Sequence, residues 1–189
     1  TAPLTSASYI KEATPKGQGL VVLSAHGEAD AMASAYQNTN GGTVQLLRYS
    51  ERTKILKSSL SAVVFLEGCS TASPISDDTG LRREQSLWSS LNRTPRPHNG
   101  RGYLRAGAPA VIGASAGTTY KEGWKQPSDG GSQSLVYYFV RNVVARHQTV
   151  GEAFFDATVE YADKHGLERG VRVFYLLGDP SLVLRGMRP

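Results

Sequence analysis

The sequence has very little cysteine: Cys69 is the only one among 189 residues. A single thiol excludes an internal disulfide and a zinc site built from several cysteines. No apolar run approaches the ~20 residues that span a bilayer, and the first residues, TAPLTSASYIKEA, have neither the basic start nor the apolar core of a signal peptide. P-loop and dinucleotide-binding fingerprints are also absent. These absences remove several large classes of function.

Charge and composition are equally plain. The formal net charge is +5 and the pI about 9.4, with 40% hydrophobic and 20% charged residues, which is typical of a globular protein. The basic residues are scattered, and none of them forms the aromatic-studded basic motif that binds RNA or single-stranded DNA. We therefore expect neither a nucleic acid nor a membrane as partner.

Buried strands alternate with helices along the chain. Four apolar runs that lack polar alternation predict strands buried on both faces: GLVVLSA, AVVFLEG, APAVIGAS and VRVFYLL. Between the last two, SLVYYFVRNVVARH predicts a helix, and a capping box at Thr149 to Glu152 predicts a second one that Gly166 ends. Gly107 predicts the end of an earlier helix, and residues 27–42 predict a loop. This order indicates one α/β domain with a parallel sheet between two helical layers.

Two of the predicted strands end on chemically active side chains. His26 follows the first strand and Cys69 the second, and the carboxyl ends of parallel strands are where active sites form. A cysteine nucleophile needs a base, because a thiol of ordinary pKa is mostly protonated at neutral pH. His98 falls in a loop, and His147 and His165 lie near helix ends, so His26 is the candidate base. If the two strands are neighbours, their ends lie about 5 Å apart.

Glycines flank both candidates. Gly27 follows the base and Gly68 precedes the nucleophile, so the N–H groups of Gly27 and Cys69 are candidates for binding a developing oxyanion. A buried cysteine that only packs, and a histidine with a structural role, are the alternatives. A phosphatase loop would need arginine where Ile75 stands, and a redox pair would need a second cysteine.

LSAHG and FLEGCSTA together resemble the His-Gly and Gly-Cys motifs of the caspase-like (clan CD) cysteine peptidases, most closely the gingipain-type and CHAT-type members. The resemblance continues in order through YLRAGAPAVIGAS, TVGEAFFDATVEYA and FYLLGDPSLVLR. It implies that residues 1–189 form a caspase-like peptidase domain, a three-layer αβα sandwich. It also implies His26 as base, Cys69 as nucleophile, Gly27 and Cys69 as oxyanion donors, and no cofactor in the chemical step.

The N-terminal part departs from that family. In caspase-like peptidases the strand that ends in histidine is usually the third, whereas only about 25 residues precede His26. We therefore expect this chain to lack two strands and a helix of that fold. We expect either a shortened fold, or a second chain or N-terminal segment, produced by proteolytic processing, that completes the sheet.

Candidate substrate contacts follow from the same comparison. Residues two apart in a strand share a face, so Glu67 is expected to point into the same cleft as Cys69. Some family members carry an acidic residue in the pocket for the residue before the cut bond (P1), and Glu67 would then select arginine or lysine. A local arginine or backbone N–H groups are the alternative partners of this carboxylate. Ser115 matches the cleft-lining segment, and Asp77 and Asp78 could attract a basic substrate; we assign no metal.

The sequence therefore predicts a cysteine endopeptidase with a His/Cys dyad that cleaves protein or peptide substrates after Arg or Lys. The main alternative is a catalytically degenerate caspase-like module that binds a peptide or a partner. A third is ligation or amidase chemistry on the same dyad, since hydrolysis requires water to reach the acyl intermediate and that depends on the shape of the cleft.

Overall fold

The computed structural model describes residues 19–27, 62–72, 103–104 and 107–184, together with the strands at 31–37 and 43–48. Seven strands lie within these residues: β1 (Leu20–Ser24), β2 (His26–Gly27), β3 (Ala31–Gln37), β4 (Thr43–Arg48), β5 (Val63–Glu67), β6 (Ala110–Ala114) and β7 (Phe174–Gly178). The helices of the same residues are α1 (Gly131–Val144), α2 (Val150–His165) and the single turn α3 (Arg169–Arg172), and a 3₁₀ turn (Pro127–Asp129) precedes α1.

The main sheet is formed by the four predicted apolar runs, in the order β1-β5-β6-β7. The pairs β1/β5 and β5/β6 are parallel, and β7 runs antiparallel to β6. The prediction of an α/β fold with a mostly parallel sheet is confirmed. The last strand begins only at Phe174, because Val171 and Arg172 belong to α3 rather than to the strand that the apolar pattern indicates.

Both faces of the sheet are covered, as a three-layer arrangement requires. Val63 and Phe65 pack with residues of α1 and α2 on one face. Val64 and Leu66 point to the other face, where they pack against Tyr103. Alternate residues of β5 therefore enter different cores, which explains why its sequence is apolar throughout. The outer strands differ: β1 and β7 are only partly buried, and Val22 is 39% exposed, so the expectation of burial on both faces is wrong for them.

Helix ends follow their sequence signals. The Thr149 hydroxyl accepts the Glu152 N–H, and the Glu152 carboxylate accepts the Thr149 N–H, which completes the predicted capping box. Gly166 ends α2 with a positive φ of 75°. Gly107 has a φ of 107°, and its N–H bonds the Leu104 carbonyl, the arrangement that ends a helix at glycine. None of the helices described here is long and apolar enough to cross a membrane.

A second, antiparallel sheet of three strands has the order β2-β3-β4. The prediction of a loop over residues 27–42 is therefore wrong at β3, whose sequence AMASAYQ lacks the β-branched residues that favour strands. Hydrogen-bonded pairing with β2 on one side and β4 on the other stabilises β3 as a strand, although its local propensity does not favour one. The predicted turn NTNGG lies between the paired ends of β3 and β4, outside the described residues.

An ion-pair network joins α1 to α2. Glu160 accepts hydrogen bonds from Arg141 and, at 2.6 Å, from Lys164. The hydrogen bond from Arg141 is the main reason that the pKa of Glu160 falls from 4.5 to about 2. The network therefore contributes stability above pH 4.5, and this contribution is lost as the pH falls through about 2.

We expect Glu160→Gln to lower the free energy of unfolding at pH 7 by about 1–2 kcal/mol, since Glu160 is still partly exposed and screened by solvent. The difference from wild type should shrink as the pH falls from 4.5 toward 2. Urea unfolding at a series of pH values measures this, with Glu122→Gln at an exposed position as the control. A difference that stays constant with pH would contradict the assignment.

Candidate active site

The ends of β1 and β5 bring the His-Gly and Gly-Cys motifs together. The two strands are parallel neighbours with Ser24 opposite Glu67, as the sequence argument requires. One further backbone bond, from the Ala25 N–H to the Glu67 carbonyl at 3.1 Å, continues the pairing beyond the strands. The segment after β1 enters β2 at His26, while the segment after β5 turns at Cys69.

Gly27 and Gly68 allow the two backbones to touch. A Cβ atom on Gly27 would lie 2.3 Å from the Cys69 carbonyl oxygen and 2.8 Å from its amide nitrogen. A Cβ atom on Gly68 would lie 2.6 Å from the carbonyl oxygen of Ala25. Both distances are far shorter than van der Waals contact, so a side chain at either position would separate the histidine from the cysteine.

A hydroxyl group at Thr71 holds the turn that carries Cys69. Its Oγ1 lies 3.1 Å from the Gly68 carbonyl and 3.3 Å from the Leu66 carbonyl, and it accepts the N–H of Ala114 at 3.1 Å. Ser70 has a φ of 55°, a conformation uncommon for a residue other than glycine and often found at functional sites. Thr71 thus ties the turn that follows β5 to the end of β6.

The sulfur of Cys69 contacts Thr118. The Thr118 N–H lies 3.4 Å from Sγ, and the Thr118 Oγ1 lies 3.6 Å from it. Cys69 is partly buried, whereas His26 is exposed. Within the described part of the chain, no hydrogen bond joins the His26 imidazole to Cys69. Catalytic hydrogen bonds are often long before substrate binds, so the absence of this bond does not exclude a joint role for the two side chains.

The two predicted oxyanion donors, Gly27 and Cys69, lie next to each other. The amide nitrogen of Cys69 is next to Gly27, and no described residue accepts the Cys69 N–H. An N–H group without a protein acceptor is available to a substrate oxygen. The role of Gly27 and Cys69 as oxyanion donors remains a prediction that this arrangement favours.

Glu67 is a buried carboxylate, with 5% of its surface exposed. The Ser132 hydroxyl donates to its Oε1 at 2.8 Å, and Ser24 provides a second side-chain hydrogen bond. Burial raises the pKa of Glu67 above 4.5, and the two serine hydroxyls offset part of that rise. Among the described residues, neither lysine nor arginine pairs with it. Within the described residues, the partners of the Glu67 carboxylate are therefore serine hydroxyls, and not a local arginine or backbone N–H groups.

The prediction that Glu67 and Cys69 lie on the same face of one strand is wrong. β5 ends at Glu67, so Cys69 lies in the turn, where alternation no longer applies. The two side chains nevertheless contact the same stretch of chain: Cys69 contacts Thr118, and Glu67 contacts Ser132. Residues 118–132 thus adjoin both the candidate nucleophile and the candidate P1 carboxylate.

Of the remaining predicted residues, only Ser115 lies within the described part of the chain. Ser115 donates both its N–H and its hydroxyl to the Val173 carbonyl, at 2.9 and 3.1 Å, and so anchors β6 to the start of β7. Its contact with substrate stays a prediction. Asp77 and Asp78 lie outside the described residues. Of the residues that the structure describes, no group of three or more histidine, cysteine or acidic side chains could hold a metal ion.

Four neighbours of the candidate site were not predicted from the sequence, namely Ser24, Thr71, Thr118 and Ser132. Thr71 stands two residues after the cysteine and could have been found as the side chain best placed to brace its turn. The other three carry no local signal, because each acquires its partner only through the tertiary fold.

Gly27→Ala should lower the free energy of unfolding by about 1–3 kcal/mol, because the added methyl group overpacks against the Cys69 backbone. Gly117→Ala is the matched control, since a Cβ there has no atom within 4 Å, and it should change stability by less than about 0.5 kcal/mol. Urea denaturation of the two variants measures both. Equal stability of the two would contradict the close approach of β1 and β5.

Comparison with known proteins gives one family. The sequence model of peptidase family C25 matches residues 3–185, which is nearly the whole chain. No curated protein matches the chain. The matched family is that of the gingipains, cysteine peptidases of clan CD.

Proposed function

The chain belongs to peptidase family C25, and from this premise we propose that it is an active cysteine endopeptidase with His26 as general base and Cys69 as nucleophile. The observation that carries the proposal is the contact between the Gly27 and Cys69 backbones. This contact depends on glycine at positions 27 and 68, and it supports the proposal that His26, next to Gly27 in the sequence, acts with Cys69, the only cysteine of the chain.

The proposed reaction proceeds through an acyl-enzyme. His26 accepts the thiol proton of Cys69, and the thiolate attacks the carbonyl carbon of the peptide bond. The N–H groups of Gly27 and Cys69 stabilise the negative oxygen of the tetrahedral intermediate. The C–N bond then breaks as His26 donates its proton to the leaving amine. Water, deprotonated by His26, hydrolyses the thioester and regenerates the thiol.

A basic residue at P1 is the proposed specificity, with Glu67 as its counter-ion. The support is a carboxylate that is buried, held by two neutral hydroxyl donors and unpaired with any cation of the described residues. A buried carboxylate gains more from a cation than an exposed one. An arginine or lysine side chain brought by the substrate would supply that cation beside Cys69.

A second chain or N-terminal segment that completes the sheet at β1 also stays a proposal. β1 pairs with β5 along one edge, and no described strand pairs with its other edge. Val22 in this strand is 39% exposed. An edge of this kind accepts a further strand readily.

The dyad is tested by substitution. Cys69→Ala should abolish cleavage of a fluorogenic peptide with arginine at P1, and His26→Ala should reduce kcat/KM by about 10²–10⁴-fold, as expected for loss of a general base. His147→Ala, at an exposed position after α1, is the control and should retain activity. Circular dichroism checks that all variants fold. Full activity in folded Cys69→Ala protein would refute the peptidase assignment.

Labelling tests specificity in the same protein. A peptidyl chloromethyl ketone with arginine at P1 should label Cys69 much faster than its aspartate counterpart. Glu67→Gln should lower kcat/KM for arginine substrates by about 10- to 100-fold, because the ion pair with the P1 cation is replaced by a hydrogen bond to a neutral amide. Cleavage of a norleucine substrate and alkylation of Cys69 by iodoacetamide should change little. Unchanged kinetics with arginine substrates would remove Glu67 from the P1 pocket.

A further inference from the structure

The contact between Thr118 and the Cys69 sulfur is not explained by the fold alone. The Thr118 N–H points at Sγ from 3.4 Å, and its hydroxyl lies 3.6 Å from the same atom. Sulfur is a weak acceptor when protonated and a much better one as a thiolate. Two donors on one residue would therefore favour the form of the cysteine that attacks substrate.

Thr118 is held in place from both sides along the chain. The Ala116 carbonyl accepts the N–H of Ser70, which follows Cys69 directly, at 2.9 Å. The Thr119 carbonyl accepts the Ser132 N–H at 2.7 Å. The peptide segment 116–119 is thus bonded to the turn of the cysteine at one end and to the first turn of α1 at the other.

Gly170 in α3 packs against the same segment, 116–119, and completes what we call the clamp on Thr118. A Cβ atom there would lie 2.3 Å from the Thr119 amide nitrogen and 1.9 Å from the Thr119 Oγ1. The contact involves backbone, so a side chain at position 170 would push segment 116–119 away from α3. Glu168, the residue before α3, accepts a hydrogen bond from Tyr161, whose hydroxyl in turn accepts the Gly131 N–H. α3 is therefore tied to α2 and to the start of α1.

We propose that Thr118 is a positioning residue for the Cys69 nucleophile, and that Gly170 acts through segment 116–119 to keep Thr118 against the sulfur. This inference rests on the proposed function, in which Cys69 reacts as a thiolate. When His26 removes the thiol proton, the Thr118 N–H and hydroxyl both donate to the anionic sulfur. No covalent bond of Thr118 is made or broken, and the step requires no co-reactant.

Alkylation of Cys69 tests the inference without any need for peptidase activity. Iodoacetamide reacts with thiolate, and intact-mass measurement follows the only cysteine in the chain. In Thr118→Val, which removes the hydroxyl but keeps the shape, the pH profile of the alkylation rate should move to higher pH by about one unit. Thr118→Ser should restore the wild-type profile. Thr158→Val is the control, since that hydroxyl bonds only the Phe154 carbonyl within α2.

Gly170→Ala tests the clamp and should move the profile in the same direction. Gly151→Ala is its matched control, because a Cβ there would overpack against Pro180 instead of the segment that holds Thr118. Both variants can lose stability, but only Gly170→Ala should change the reactivity of folded protein. Wild-type profiles in both Thr118→Val and Gly170→Ala, with thermal melts confirming the fold, would overturn the inference.

A His26→Ala background separates this inference from the dyad. If Thr118 acts directly on the sulfur, the shift caused by Thr118→Val should persist when His26 is absent. A shift that disappears in this background would overturn the inference, since the effect would then act through the imidazole. Loss of peptide cleavage in wild type, with the Thr118 shift intact, would count against the proposed function alone.

Discussion

The candidate site depends on the contact of two backbones at the ends of β1 and β5. Parallel pairing carries the strands side by side as far as Ser24 and Glu67, and one further bond, from the Ala25 N–H to the Glu67 carbonyl, extends it. Beyond that point, Gly27 lies directly against Cys69 because it has no side chain. Backbone contact at this distance places the main chain of His26, which precedes Gly27, close to the main chain of Cys69. The second sheet begins at His26 and the cysteine turn begins at Gly68, so both start at this contact.

A second constraint comes from hydroxyl groups. Thr71 ties the cysteine turn to β6, and Ser132 serves two functions at once: its side chain donates to Glu67, and its N–H donates to the Thr119 carbonyl. The first turn of α1 is therefore bonded both to the buried carboxylate and to the segment that carries Thr118. A displacement of α1 would therefore alter the surroundings of Glu67 and of Thr118 together.

The sequence predicts those parts of the molecule whose signals are local. Apolar runs indicate four strands, the capping box at Thr149 marks the start of α2, and the residues that follow the strands identify the histidine and cysteine. β3 was missed because its alanine-rich sequence has no strand propensity of its own and is held by pairing on both sides. Thr118 lies 49 residues from Cys69. Contacts at that separation depend on how strands are ordered in the sheet, which no short pattern encodes.

Glu67 illustrates why a polar group can be kept in a core at a cost to stability. Burial raises its pKa, and two serine hydroxyls donate hydrogen bonds without cancelling its charge. An arginine in place of either serine would pair with the carboxylate permanently, although removing two charges from water can cost more than their attraction returns. On the proposal that Glu67 receives the P1 side chain, such an internal cation would compete with the substrate for it. On that proposal, two neutral donors leave the charge of Glu67 available to a cationic P1 side chain, and this attraction would be the source of the selectivity.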